Sequence, residues 1–164
     1  MALNYKFFKQ NFFQIIPLIL LFIIPLSGIS VVDLGYFSVN VHYILVYYFV
    51  LRKPDVFGYG FIFLSGIISD VILGLPIGIN TLSLLTIAAV ATYIRNVTVK
   101  ISLINDWISF IPAILLTNFI YYLSLHFSNY SIDYLPLIIN CFFTFIFYPI
   151  LWGLFSITTN INKI

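Results

Sequence analysis

The stretch that decides how this chain folds runs from Gly58 to Asn80: Gly-Tyr-Gly-Phe-Ile-Phe-Leu-Ser-Gly-Ile-Ile-Ser-Asp-Val-Ile-Leu-Gly-Leu-Pro-Ile-Gly-Ile-Asn. Its apolar run is long enough for a membrane helix, yet it contains Asp70. About 14 residues at 1.5 Å each place that aspartate roughly 20 Å from the start of the span, in the outer third of a bilayer. An ionised aspartate near the centre of a bilayer costs at least about 2.5–3.5 kcal/mol, so it needs a partner, a proton or a water-filled cavity. Gly74, Leu75 and Pro76 then reverse the chain, with Pro76 suited to the first position of the next helix. In an antiparallel hairpin centred on Leu75, Asp70 and Asn80 fall at equal depth. The following helix N-terminus supplies free N–H groups and a positive dipole end, and Asn80 and Thr81 add side-chain donors. Asp70 is therefore expected to tie two neighbouring helices together, leaving a polar spot in the outer leaflet. Ser65, Gly66 and Ser69 form a small face on the same helix, where backbones approach closely in lipid.

The rest of the chain has the composition of a membrane protein. Of 164 residues, 62% are hydrophobic, 20% aromatic and only 7% charged, and mean hydropathy is +1.12. Soluble domains carry about 25% charged residues, so this chain lacks the polar surface to keep a globule of its size in water. Roughly 20 apolar residues cross about 30 Å of hydrocarbon, which places spans at roughly 12–31, 36–52, 56–74, 77–95, 106–126 and 135–157. The runs are continuously apolar rather than alternating, which argues against a β-barrel. The expectation is an all-α, polytopic bundle of about six transmembrane helices, forming a single integral membrane domain over 1–164. The first apolar stretch has basic Lys6 and Lys9 before it but no Ala-x-Ala cleavage site after it, and reads as a retained span.

The basic residues set the orientation. With about six spans and a cytoplasmic N-terminus, Lys6, Lys9, Arg52, Lys53, Arg95, Lys100 and Lys163 all fall inside, and Asp33, Asp133, His42 and His126 fall outside. Both termini are expected in the cytoplasm. In this reading Arg52 is a topology anchor and Pro54 breaks the helix behind it.

Several function classes receive no support. The net charge of +2 comes from scattered cations, which is no nucleic-acid footprint. Cys141 is the lone cysteine and reads as a packing residue; His42 and His126 on separate spans make a poor metal site. No nucleophile elbow, phosphate-binding glycine loop or carboxylate pair is present, so no catalytic, metal or cofactor-binding residue is assigned and the chain does not read as an enzyme.

Phe63-Leu64-Ser65-Gly66-Ile67-Ile68-Ser69-Asp70, followed by Gly74-Leu75-Pro76-Ile77-Gly78, resembles the signature of the MreD family, the rod shape-determining membrane proteins of bacteria. That family shows Phe-x-x-Gly-Leu-x-x-Asp and then a glycine-bearing turn, and an Arg-Pro-Asp-like element ahead of it is similar to Arg52-Lys53-Pro54-Asp55. Ile67 departs from the usual leucine. The motif covers about 30 residues, and the layout of short-looped spans covers the whole chain. The resemblance implies a non-enzymatic scaffold in the bacterial inner membrane, working in lateral peptidoglycan synthesis beside MreC, MreB filaments, RodA and a penicillin-binding transpeptidase. It makes Ser65, Gly66, Ser69, Asp70, Gly74, Pro76, Gly78, Asn80, Arg52 and Pro54 the structural or partner-contact candidates. The family is also similar in fold to the vitamin-binding subunits of energy-coupling-factor transporters, which gives the alternative of a small-molecule-binding subunit. Those subunits carry an Ala-x-x-x-Ala docking motif in their first span, and here that span has no alanine.

Overall fold

In the computed structural model the described residues are 15–33, 38–54, 56–98, 102–129 and 134–160. They form six helices and one short hairpin: α1 (Ile15–Leu26), β1 (Val31–Asp33), β2 (Ser38–Asn40), α2 (Val41–Arg52), α3 (Tyr59–Leu73), α4 (Ile79–Val97), α5 (Leu103–Phe127) and α6 (Tyr134–Asn160). Lys6, Lys9, Lys100, Lys163, Asp55 and Asp133 lie outside the described residues, as do the first residues of the first two predicted spans.

Helix α2 organises the bundle. Its sequence is apolar around its whole circumference, and a helix with no polar face belongs inside. His42 through Leu51 are all buried, and α2 packs against α4 and α6. Helix α4 in turn touches α3 and α5, and α5 touches α6. The aromatic side chains of α2 interlock with those neighbours: Tyr47 lies 4.8 Å from Phe110, Phe110 stacks on Tyr148 at 4.7 Å, and Phe49 stacks on Phe57 at 5.2 Å.

The second predicted span is shortened. Residues 36–52 read as one helix, but Ser38–Asn40 is a strand paired antiparallel with Val31–Asp33, in the register Val31↔Asn40 and Asp33↔Ser38. Asn40 explains the late start of the helix, because its side chain accepts the Tyr43 N–H at 3.0 Å and caps the first turn. The Asn40 N–H itself is satisfied by Thr144 Oγ1 of α6 at 2.9 Å. The resulting helix is 12 residues, about 18 Å long.

Two helices, Leu103–Phe127 and Leu135–Ile157 within α6, are long and apolar enough to cross a membrane. Helices α1, α2 and α3 are shorter apolar helices over the described residues. Polar side chains share the interior with the apolar core, Asn40, His42, Ser65, Ser69, Asp70, Asn80, Asp106, Asn118 and Asn140 being buried, while large apolar side chains such as Ile19, Phe63, Val71, Leu115, Ile138 and Ile150 are exposed. Arg52, Lys53 and Arg95 share one end of the bundle, since Arg95 Nη1 donates to the Val50 carbonyl at 3.3 Å. The α3–α4 turn and the hairpin lie at the other.

Candidate functional site

The α3–α4 turn is built around the Asp70 carboxylate. Helix α3 ends at Gly74, whose left-handed backbone (φ 64°) no β-branched residue would adopt cheaply. The Leu75 N–H donates back to the Asp70 carbonyl at 3.0 Å, which closes the last turn. Four residues on, Gly78 (φ 113°) caps α4 and aims the helix N-terminus back at α3. The carboxylate then receives four donors: Gly78 N–H on Oδ2 at 2.8 Å, Asn80 N–H on Oδ1 at 2.7 Å, Thr81 Oγ1 on Oδ2 at 3.0 Å, and Thr81 N–H on Oδ2 at 3.4 Å. Asp70 is fully buried. A set of donors at a helix N-terminus, where the dipole is positive, suits the ionised carboxylate and supplies its missing solvation. Asp70 thus caps a helix other than its own.

Gly66 allows that geometry. A Cβ at this position would lie 2.5 Å from Thr81 Cα and 2.9 Å from Thr81 Oγ1, so the two helix backbones touch here. Ser65, beside it, points the other way. Its hydroxyl donates to the Leu21 carbonyl of α1 at 2.8 Å and lies 2.9 Å from His42 Nε2 of α2. With its one hydrogen committed to Leu21, Ser65 accepts from His42, which fixes the histidine as the Nε2–H tautomer. Ser69 is buried on the same helix. Ser65, Gly66 and Asp70 therefore join α3 to α1, α2 and α4.

Two sequence expectations change in detail. Asn80 meets Asp70 through its backbone N–H, and its buried side-chain Nδ2 has no hydrogen-bond partner among the described residues. Pro76 sits in the turn rather than at the first helical position, because the positive φ of Gly78 interrupts any helical path before Ile79.

Arg52 lies far from this turn and does more than mark topology. Its Nη2 pairs with Asp106 Oδ2 of α5 at 2.7 Å, and its guanidinium lies over the rings of Trp152 (5.4 Å) and Tyr48 (5.9 Å). Trp152 Nε1 of α6 donates to the same Asp106 oxygen at 3.2 Å. The cluster locks α2, α5 and α6 together at the cation-rich end, with Pro54 in the turn that follows. Sequence reasoning missed Asp106 as a partner. The available signal was that an acid and an arginine both fall at the predicted inner edge of the membrane. Among the described residues, no three His, Cys, Asp or Glu side chains come together as a metal site.

The site is one of helix joints: the hydrogen bonds around Asp70, Ser65 and Asp106 run between groups of the chain itself. No protein-family model, curated protein or solved structure matches this chain.

Proposed function

We propose that this chain is a multi-pass protein of the bacterial inner membrane, with six membrane helices and both termini in the cytoplasm, and a non-enzymatic scaffold of the cell-elongation complex like the MreD proteins it resembles. The observation that carries the reading is that the residues bearing the resemblance act as one packing unit. Gly66 admits α4, Asp70 caps it, and Gly74 and Gly78 shape the turn between them. A motif used in this way preserves a rigid helical surface, which is what a scaffold offers its partners.

The membrane assignment is supported by the large exposed apolar faces on α3, α5 and α6, which are stable only against lipid or protein. Strand β2 (3 residues) and helix α2 (12 residues) have a combined contour of about 28 Å, close to the hydrocarbon thickness. Non-helical backbone is tolerated at that depth when protein covers it, as the Asn40–Thr144 hydrogen bond does here. The clustering of Arg52, Lys53 and Arg95 at one end favours that end as cytoplasmic.

The test is affinity purification of the tagged chain from gently solubilised membranes, with mass spectrometry of proteins and small molecules. The expected partners are MreC, MreB, RodA and the penicillin-binding transpeptidase, and Gly66 or Asp70 substitutions should reduce their recovery and round the cells. Recovery of an ATP-driven transporter module or a bound vitamin, with no elongation protein, would refute the scaffold reading.

A further inference from the structure

Pro149 lies inside α6 and carries no N–H, so the carbonyl four residues earlier, that of Phe145, loses its helical donor. In hydrocarbon no water replaces that donor, and a neighbouring helix has to supply one. Helix α5 does so. Trp107 Nε1 donates to the Phe145 carbonyl at 2.9 Å, and the indole stacks on the Phe145 ring at 5.2 Å with the planes 18° apart. Asp106, the neighbouring residue of α5, accepts from Trp152 Nε1 at 3.2 Å, three residues past the proline. Two adjacent side chains thus grip α6 on either side of the point where Pro149 interrupts its ladder.

We propose that α6 is a hinged helix with Trp107 as its latch: the indole bond holds residues 150–157 against α2, and its release lets them swing about Pro149. The segment before the proline is fixed to strand β2, with Asn40 N–H donating to Thr144 Oγ1 at 2.9 Å and Asn140 Nδ2 donating to Ser38 Oγ at 3.1 Å. An intact ladder would carry that fixed orientation into the segment after it. At a proline the ladder lacks a bond, and helices bend sharply there. Trp107 restores the coupling, because it fixes the carbonyl that the proline ring crowds. The segment after the proline packs on α2 through Phe155, 5.6 Å from the Tyr48 ring and 5.4 Å from that of Phe49. Swinging residues 150–157 outward lifts Phe155 off these two buried rings and opens the cation-rich end of the bundle.

This inference goes beyond the scaffold reading and does not depend on it. The test measures the rate at which N-ethylmaleimide labels a buried thiol, Phe155→Cys, in the full chain in lipid nanodiscs with Cys141→Ala. That rate follows the population in which residues 150–157 stand away from α2. Ala91→Cys, buried in α4, is the control for opening of the whole bundle. Trp107→Phe keeps a ring on Phe145 and loses the N–H. It should speed labelling at position 155 about 3- to 18-fold, the range for interhelical hydrogen bonds in lipid, with no change at position 91. Pro149→Ala returns an N–H to the ladder, and in that background Trp107→Phe should change the rate by less than about 2-fold. A mere packing defect at Trp107 would persist whatever stands at position 149. An unchanged rate in Trp107→Phe, an equal rise at position 91, or a rise that survives Pro149→Ala would each overturn the proposal. If Trp107→Phe alone does not fold, folding of the Trp107→Phe/Pro149→Ala chain supports the latch, and its failure to fold refutes it.

Discussion

Replacing Gly66 by alanine should destabilise this protein, although alanine is the better helix former. The added Cβ would sit 2.5 Å from Thr81 Cα, and must retreat about 0.9 Å to reach the shortest ordinary contact. The nearest atom belongs to the backbone, so no side-chain rotation relieves the clash and α4 as a whole has to move. A retreat of that size takes Thr81 N–H and Oγ1, now 3.4 and 3.0 Å from the Asp70 carboxylate, beyond hydrogen-bond reach. Overpacking costs about 1–3 kcal/mol, the two weakened bonds to a charged acceptor add about 2 kcal/mol, and the gain in helix propensity returns about 1. The net loss is about 2–4 kcal/mol, which for a chain of this size lowers the unfolding midpoint by roughly 5–15 °C. Gly153, in the interior of α6, supplies the control: a Cβ there meets nothing within 4 Å, so Gly153→Ala should leave stability unchanged or raise it by up to about 1 kcal/mol. Thermal unfolding of both variants in lipid nanodiscs makes the comparison, with Gly66→Ala/Thr81→Ala as a third sample. The double variant should recover little, because the contact with Thr81 Cα survives. If Gly66→Ala is as stable as the natural sequence, or if shortening Thr81 restores it fully, the backbone-contact argument is wrong.

Two further outcomes follow from the polar joints. Asp70→Asn keeps the shape but turns an amide N–H₂ toward one of the α4 donors, and should cost about 2–3 kcal/mol while speeding hydrogen exchange at the Gly78 and Asn80 amides; unchanged protection there would refute the capping role. Arg52→Ala strands the nearly buried Asp106 beside Trp152 alone, and should cost about 2–4 kcal/mol, discounted from the value for a fully buried pair because Arg52 is partly exposed. Asp106→Asn should soften that loss, and a double-mutant cycle showing no coupling between Arg52 and Asp106 would contradict the ion pair.

The extent to which the site was legible differs residue by residue. Asp70 was readable because an acid deep in an apolar run demands a partner, and a glycine–proline turn a few residues on says where to look. Its donors are half readable: the sequence points to the helix N-terminus, but not to Asn80 answering with its backbone while its side-chain Nδ2 meets no partner among the described residues. In sequence Ser65 shows only its smallness, whereas in the fold it joins α1 and α2 through Leu21 and His42, which lie 44 and 23 residues away in sequence. Arg52 shows in sequence only its charge, and Asp106 and Trp152 become its partners only because α5 and α6 lie alongside α2.

Local chemistry thus determined much of this protein from the sequence alone. Continuous apolar runs specify helices that shun water, glycines at 74 and 78 specify a turn, and an acid in an apolar helix specifies that something must cap it. Tertiary structure alone decided what depends on proximity between distant segments. It shortened the second helix, because Asn40 caps it at residue 41 while Thr144 of α6 takes the strand's N–H. It set the Gly66–Thr81 contact, which is a distance between two backbones. It also brought Asn118 of α5 beside the Cys141 thiol of α6, since which groups meet between these helices depends on how α6 lies against α5. Composition and periodicity fix what each segment must bury, and only the packing of all the helices together fixes against what.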